Sequence, residues 1–138
     1  MRIKDIMTRD FQVATSRTTL QEAAEIMRNG GFGYLPVREG DKLKGAVTDR
    51  DIVVRGLADG FGPEAPILHV MSENIVYCLE DDDIREAADL MQREQIRRLA
   101  VLDDHKRLVG VASLGDIARI TDDRALTGAI EVQVAQPL

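Results

Sequence analysis

The chain has 138 residues, 44% of them hydrophobic and 4% aromatic, and carries 18 Lys and Arg against 24 Asp and Glu for a net charge of −6 at pH 7. That balance offers no general attraction for nucleic acid or an anionic membrane, no apolar run approaches the ~20 residues of a membrane span, and Met1-Arg2-Ile3-Lys4-Asp5 leads into no hydrophobic signal core. Cys78 is the one cysteine, which excludes an internal disulfide and fits a reducing compartment, so the cytoplasm is the expected location.

In chain order, Phe11-Gln12-Val13 reads as a short extended segment. Thr19 opens a helix with Glu22 three residues on, as a capping box requires, and Leu20, Ala23, Ala24 and Met27 fall at the spacing of one buried face. Gly30-Gly31 stops that helix. Tyr34 to Arg38 and Leu43 to Val47 are strands flanking the Glu39-Gly40-Asp41 turn of a hairpin. Thr48 caps a second helix carrying Ile52, Val53 and Leu57 that ends near Gly60, and residues 60–66 have linker composition. Beyond the linker the plan repeats: Cys78 in a strand, Asp83 and Glu86 as a capping pair, strands Arg98 to Leu102 and Leu108 to Ala112, and a helix capped by Ser113 and running through Ile120.

The repetition is literal. Met7-Thr8 returns as Met71-Ser72, residues 23–27 as 87–91, and Leu35-Pro36-Val37 as Leu99-Ala100-Val101, all at an offset of 64. Past the hairpin the offset is 65, as Leu43-Lys44-Gly45 matches Leu108-Val109-Gly110 and Asp51-Ile52 matches Asp116-Ile117. One residue has been added in the second hairpin, where insertions are best tolerated. The chain can bury one sizeable core, but each half alone would be marginal, so two similar units sharing an interface are expected.

These residues carry a resemblance. The chain resembles a tandem CBS-domain pair (Bateman module), in particular small stand-alone bacterial CBS-domain proteins. The likeness rests on Asp5-Ile6-Met7-Thr8, Ala23-Ala24-Glu25-Ile26-Met27, Tyr34-Leu35-Pro36-Val37 and the run from Gly45 to Ile52. The second copy adds Arg97-Arg98-Leu99-Ala100-Val101 and the run from Gly110 to Ile117. It implies an α/β fold of two CBS repeats, each β-α-β-β-α, packed through their sheets around a pseudo-twofold axis, with the domains at residues 7–65 and 71–127. It also implies dimerisation and the binding of adenosine-containing ligands in clefts that mix residues of both copies.

Thr48-x-x-Asp51 and Ser113-x-x-Asp116 occupy matching strand-to-helix turns. Their spacing alone describes helix caps. Under the resemblance, the carboxylate also accepts the two hydroxyls of a ribose diol, for which its two oxygens suffice. One nucleotide site then takes Asp116 and Ser113 for ribose, Arg98 beside Arg97 for phosphate, and Thr18, Ala23, Phe32 and Gly33 as a wall for the base. A second, weaker site uses Thr48 and Asp51, with Asp82, Ala87, Ile96 and Arg97 from the second copy. There Tyr34 stands where an arginine would help, and Asp82 repels phosphate by ~1 kcal/mol or more.

His69, Cys78 and His105 lack metal-site spacing, so no metal ligand is assigned, and no nucleophile–base pair can be assembled. The expected function is that of a non-enzymatic sensor with no required cofactor, taking AMP, ADP or ATP as regulatory ligand. Its expected partners are that small molecule, a second copy in a homodimer and an unidentified protein target, with no nucleic acid and no membrane. A partner-binding scaffold without nucleotide and a metal-binding stress-response protein are the alternatives. The 121–138 tail, with alternating Ile130, Val132 and Val134, is left between an added strand and packing on a dimer partner.

Overall fold

Hydroxyl-capped helices and antiparallel hairpins recur along the computed structural model, which describes residues 1–121. The tail beyond Thr121 lies outside the described residues. The fold is mixed α/β, with two sheets and four helices among those residues. By contacts the chain divides into two compact units, Gln12–Ile75 and Met1–Phe11 together with the chain from Val76 onward.

In the Gln12–Ile75 unit, α1 (Leu20–Gly30) starts on a reciprocal capping box. Thr19 Oγ accepts from the Glu22 amide at 3.1 Å, and the Thr19 amide donates to Glu22 Oε1 at 3.0 Å. The helix closes on Gly31 at φ 71°, a left-handed position that glycine takes without a Cβ penalty. Strands β1 (Tyr34–Glu39) and β2 (Lys42–Thr48) form the expected hairpin. The extended segment expected at residues 11–13 is not a strand; pairing is confined to Ala14, which bridges Val37 in parallel. The reason is local: the Thr15 amide donates to Thr18 Oγ1 and the Thr18 amide to the Thr15 carbonyl, turning the chain away at once. After β2, Thr48 caps α2 (Asp49–Asp51), which continues into a π-helical run, Ile52–Leu57. Its wide turns show in the bonds from the Ala58 amide to the Val53 carbonyl and from the Phe61 amide to the Gly56 carbonyl.

In the other unit β3 (Tyr77–Leu79) lies parallel to β4 (Arg98–Leu102), and β4 pairs antiparallel with β5 (Leu108–Ser113). Helix α3 (Ile84–Glu94) and α4 (Leu114–Thr121) complete it. The capping pair expected at Asp83 and Glu86 is corrected here. Asp83 Oδ1 accepts from the Arg85 amide at 2.8 Å, and the Glu86 amide reaches the Asp83 carbonyl at 3.0 Å. The backbone of Met1–Ile3 runs alongside Asp82–Ile84 at this helix start, with an isolated antiparallel bridge from Arg2 to Asp83, so the cap forms beside a second backbone segment.

Each copy's leading segment is built into the unit that holds the other copy. Ile3, Ile6 and Met7 are buried with Met91, Leu99, Val101 and Ile117. The Ile3 amide donates to the Asp82 carbonyl, while Thr8 and Val111 exchange backbone bonds of 2.9 and 3.0 Å. The matching Ile67, Val70 and Met71 are buried with Leu20, Leu35 and Val47, and Ser72 and Ala46 exchange bonds of 2.8 and 3.0 Å. This close crossing explains the glycine repeated in β2 and β5. A Cβ on Gly45 would lie 2.3 Å from the Ser72 carbonyl oxygen, and one on Gly110 2.6 Å from Met7 Sδ.

The two glycines therefore differ in tolerance. Gly45→Ala meets backbone and is expected to lose about 1–3 kcal/mol, the usual penalty of overpacking, while Gly110→Ala meets a flexible thioether and loses less. Urea unfolding of both variants checks the order.

Candidate ligand-binding turns

The two hydroxyl–x–x–aspartate turns share one backbone geometry. In the unit of residues 12–75, Thr48 Oγ1 accepts from the Asp51 amide at 3.1 Å and the Thr48 amide donates to Asp51 Oδ2 at 3.0 Å. In the other unit the Ser113 and Asp116 bonds measure the same 3.1 and 3.0 Å. Both hydroxyls therefore cap, as their spacing predicts. The carboxylates differ in what holds the second oxygen. Asp116 Oδ1 accepts from the Arg119 guanidinium at 2.7 Å, whereas Arg55 stands 4.0 Å from Asp51 Oδ1. Sequence reading passed over Arg119; its signal is the i,i+3 spacing from Asp116 on one helix face.

The remaining expected site residues fall into both units. With Asp116, the structure places Ser113 and Arg98 as register partners across β4 and β5, and the Arg97 carbonyl accepts from the Leu114 amide. Arg98, Ser113 and Asp116 are thus neighbours on one sheet end. The same register sets Tyr34 opposite Thr48 in the other unit, above Asp51. There Phe32 and Gly33 line an open groove of about 520 Å³ together with Met27, Arg28, Asp49 and Val53. Thr18 is held in its turn by Thr15, and Ala23 is fully buried in the hydrophobic core of its unit. Ala87 is likewise buried in the core of its own unit, with Ile96 packed against that core, and Asp82 Oδ2 accepts from the Leu79 amide at 2.9 Å.

A twice-repeated hairpin ending in a hydroxyl-capped helix with an aspartate at its first turn defines a tandem-repeat α/β protein. The CBS-domain family model matches residues 3–57 and 67–123, and the chain belongs to that family. It is 40% identical over 84% of its length to the CBS domain-containing protein YhcV of Bacillus subtilis, covering 82% of that protein. Hypoxic response protein 1 of Mycobacterium tuberculosis is 35% identical over 89% of this chain and 87% of its own. A crystal structure of Hypoxic Response Protein I with two coordinated zinc ions superposes with TM-score 0.80 at 37% identity, covering 87% of this chain and 98% of that one. The CBS domain pair of protein MJ0100, in complex with 5′-methylthioadenosine and S-adenosyl-L-methionine, gives TM-score 0.78 at 30% identity over 88% of this chain and 99% of that one.

The other reactive side chains are held in local structure. Cys78 is buried, and desolvation with the Asp82 charge pushes its thiol up to about 12. His69 stacks on Phe61 at 5.0 Å, and His105 Nδ1 lies 2.7 Å from Asp104. Asp103, Asp104 and His105 are the one group of three possible ligands brought together among the described residues. Asp103, however, already accepts from the His105 and Arg107 amides and from Arg107 Nε at 2.8–2.9 Å, tying off the hairpin that carries the inserted residue.

Those bonds, the Arg107 amide foremost, hold the Asp103 carboxyl below its ordinary value. A carboxyl lowered on folding stabilises the native state above its unfolded value of about 3.9, and that contribution fades as pH falls through the lower folded value. Asp103→Asn is therefore expected to destabilise at neutral pH and to flatten the loss of stability below about pH 4. Chemical denaturation at pH 7 and at a series of lower pH values measures both.

Proposed function

We propose that the chain is a regulatory CBS-pair protein of the cytoplasm that binds an adenosine-containing ligand, AMP, ADP or ATP first among them, and catalyses no reaction. The observation that carries this reading is the Asp116 carboxylate. It is nearly buried, yet among the described residues two donors meet its four lone-pair positions, Ser113 N–H on Oδ2 and Arg119 on Oδ1. Two acceptor positions remain, the number a vicinal diol requires. The MJ0100 pair supports the adenosine half of the reading, since both of its ligands contain that nucleoside. Arg98 beside Ser113 supports a phosphate, because guanidinium meets phosphate oxygens with paired donors. Tyr34 and Asp51 form the weaker counterpart. The ligand regulates by binding one conformation of the chain better than another, and an unidentified protein target reads that conformation.

A homodimer belongs to the same proposal. Val53, Val54 and Leu57 are 56%, 45% and 71% exposed on one short helical run. The groove beside them is lined by Met27, Phe32 and Ile52. Burying each such side chain against a second copy contributes ~1.5–3 kcal/mol. Sedimentation at tens of micromolar is expected to show a dimer, and Val53→Asp with Leu57→Asp to yield monomer. A wild type that sediments only as monomer removes this part of the proposal.

Calorimetric titration with AMP and ATP tests the ligand. Asp116→Ala and Arg98→Ala are each expected to weaken binding by about one to two decades, the worth of a charge-assisted hydrogen bond. Asp51→Ala is expected to change the same titration much less. The reverse order would exchange the two sites. A wild type that binds no adenine nucleotide at millimolar concentration leaves the partner-binding scaffold in its place.

A further inference from the structure

We propose that Arg119 is a positioning residue for the ribose acceptor, an inference that rests on the adenosine reading of Asp116. A carboxylate tethered through one oxygen still swings about its terminal torsion, which has broad minima. Asp116 is tethered through both: the Ser113 amide at 3.0 Å on Oδ2 and the Arg119 guanidinium at 2.7 Å on Oδ1. Its plane is fixed before any ligand arrives, and both bonds involve the charged form. The two remaining lone pairs then point in set directions, so a diol loses less freedom in finding them.

The first copy serves as an internal control. Asp51 keeps the amide tether at 3.0 Å, but Arg55 at 4.0 Å is beyond hydrogen-bond reach. Val54 occupies the position that matches Arg119. The fold of the turn is the same in both copies, so Arg119 is not needed to build it. Nor does burial explain the arginine, since its side chain is 71% exposed while that of Asp116 is 11% exposed. Water screens the exposed guanidinium, so part of the pair's effect falls on the orientation of the carboxylate, and thermal melts separate that part from any contribution to folding.

The test uses the full chain with Arg119→Met and Arg119→Lys, titrated with AMP, adenosine and 2′-deoxy-AMP, alongside thermal melts. Arg119→Met is expected to weaken AMP and adenosine alike by about threefold to tenfold and to narrow the preference for AMP over 2′-deoxy-AMP. Arg119→Lys is expected to restore part of both, since an ammonium replaces the charge without the planar fork. Weaker AMP with unchanged adenosine would make Arg119 a phosphate contact, and tighter binding would make it a competitor of the ligand; either overturns the proposal. So does a lower melting temperature with the AMP to 2′-deoxy-AMP ratio intact, which is a structural role only. Wild type binding AMP with Arg119→Met unchanged defeats this inference alone. Wild type binding neither AMP nor adenosine at millimolar concentration defeats the adenosine reading and carries this one with it.

Discussion

Neither unit closes without a segment supplied by the other end of the repeat pattern. Ile3 and Ile67 have no exposed surface, and each sits with its own leading segment, Ile6 and Met7 or Val70 and Met71, in a core otherwise made by the other copy. A small core has few large side chains to bury, so one isoleucine at ~1.5–3 kcal/mol is a substantial share of a marginal stability. The leading segments also pin the second strand of each hairpin, Ser72 on Ala46 and Thr8 on Val111. Those strands end at Thr48 and Ser113. The placement of Asp51 and Asp116 thus depends on a close crossing that leaves no room for a Cβ against backbone at Gly45 and only the movable Met7 side chain against one at Gly110.

At the end of each strand one aspartate caps a helix, and the diol contact proposed for it would not compete with that role. A capping carboxylate uses a single lone pair on the N-cap amide, which leaves acceptor capacity on its two oxygens for other donors. The cap hydroxyl contributes about 1 kcal/mol to the helix and fixes where the carboxylate stands. This is why a stable turn and a diol acceptor can be the same residues. It also explains why spacing alone, without knowledge of what surrounds the turn, describes only a helix start.

Much of this was legible because local rules and the fold agree. Thr19 with Glu22, Ser113 with Asp116, the hairpin at Gly40 and the αL stop at Gly31 appear where propensity puts them. What was not legible depends on partners distant in sequence. Met7-Thr8 and Met71-Ser72 mark a repeat whichever unit they pack into, so the pattern is silent about their exchange. Asp83, between the Asp82 and Ile84 backbone groups that bond to Met1–Ile3, makes a simple cap on the Arg85 amide in place of the expected pair with Glu86. The turn at Thr15–Thr18 cut the first strand to a bridge. Ile52-Val53-Val54 signalled apolar surface in excess of one stripe, but not the π-helical winding that carries it.

That winding bears on why the two aspartates differ. In α4 the turn after Asp116 is α-helical, and an i,i+3 arginine lies directly over the carboxylate at 2.7 Å. In the first copy the helix widens from Ile52, immediately after Asp51, and its i,i+4 arginine stays at 4.0 Å. Arg97, Arg98 and Arg119 all belong to the copy with Asp116; the matching residues of the first copy are Gly33, Tyr34 and Val54. Duplication fixed the backbone of both turns. The side chains then differ: Asp116 holds an ion pair with Arg119 and its turn adjoins the strand that starts at Arg98, while Asp51 stands beside apolar helix surface. A fold that needs both turns for its architecture can lose the cations of one without unfolding, and in this way two copies of one turn come to hold different chemistry.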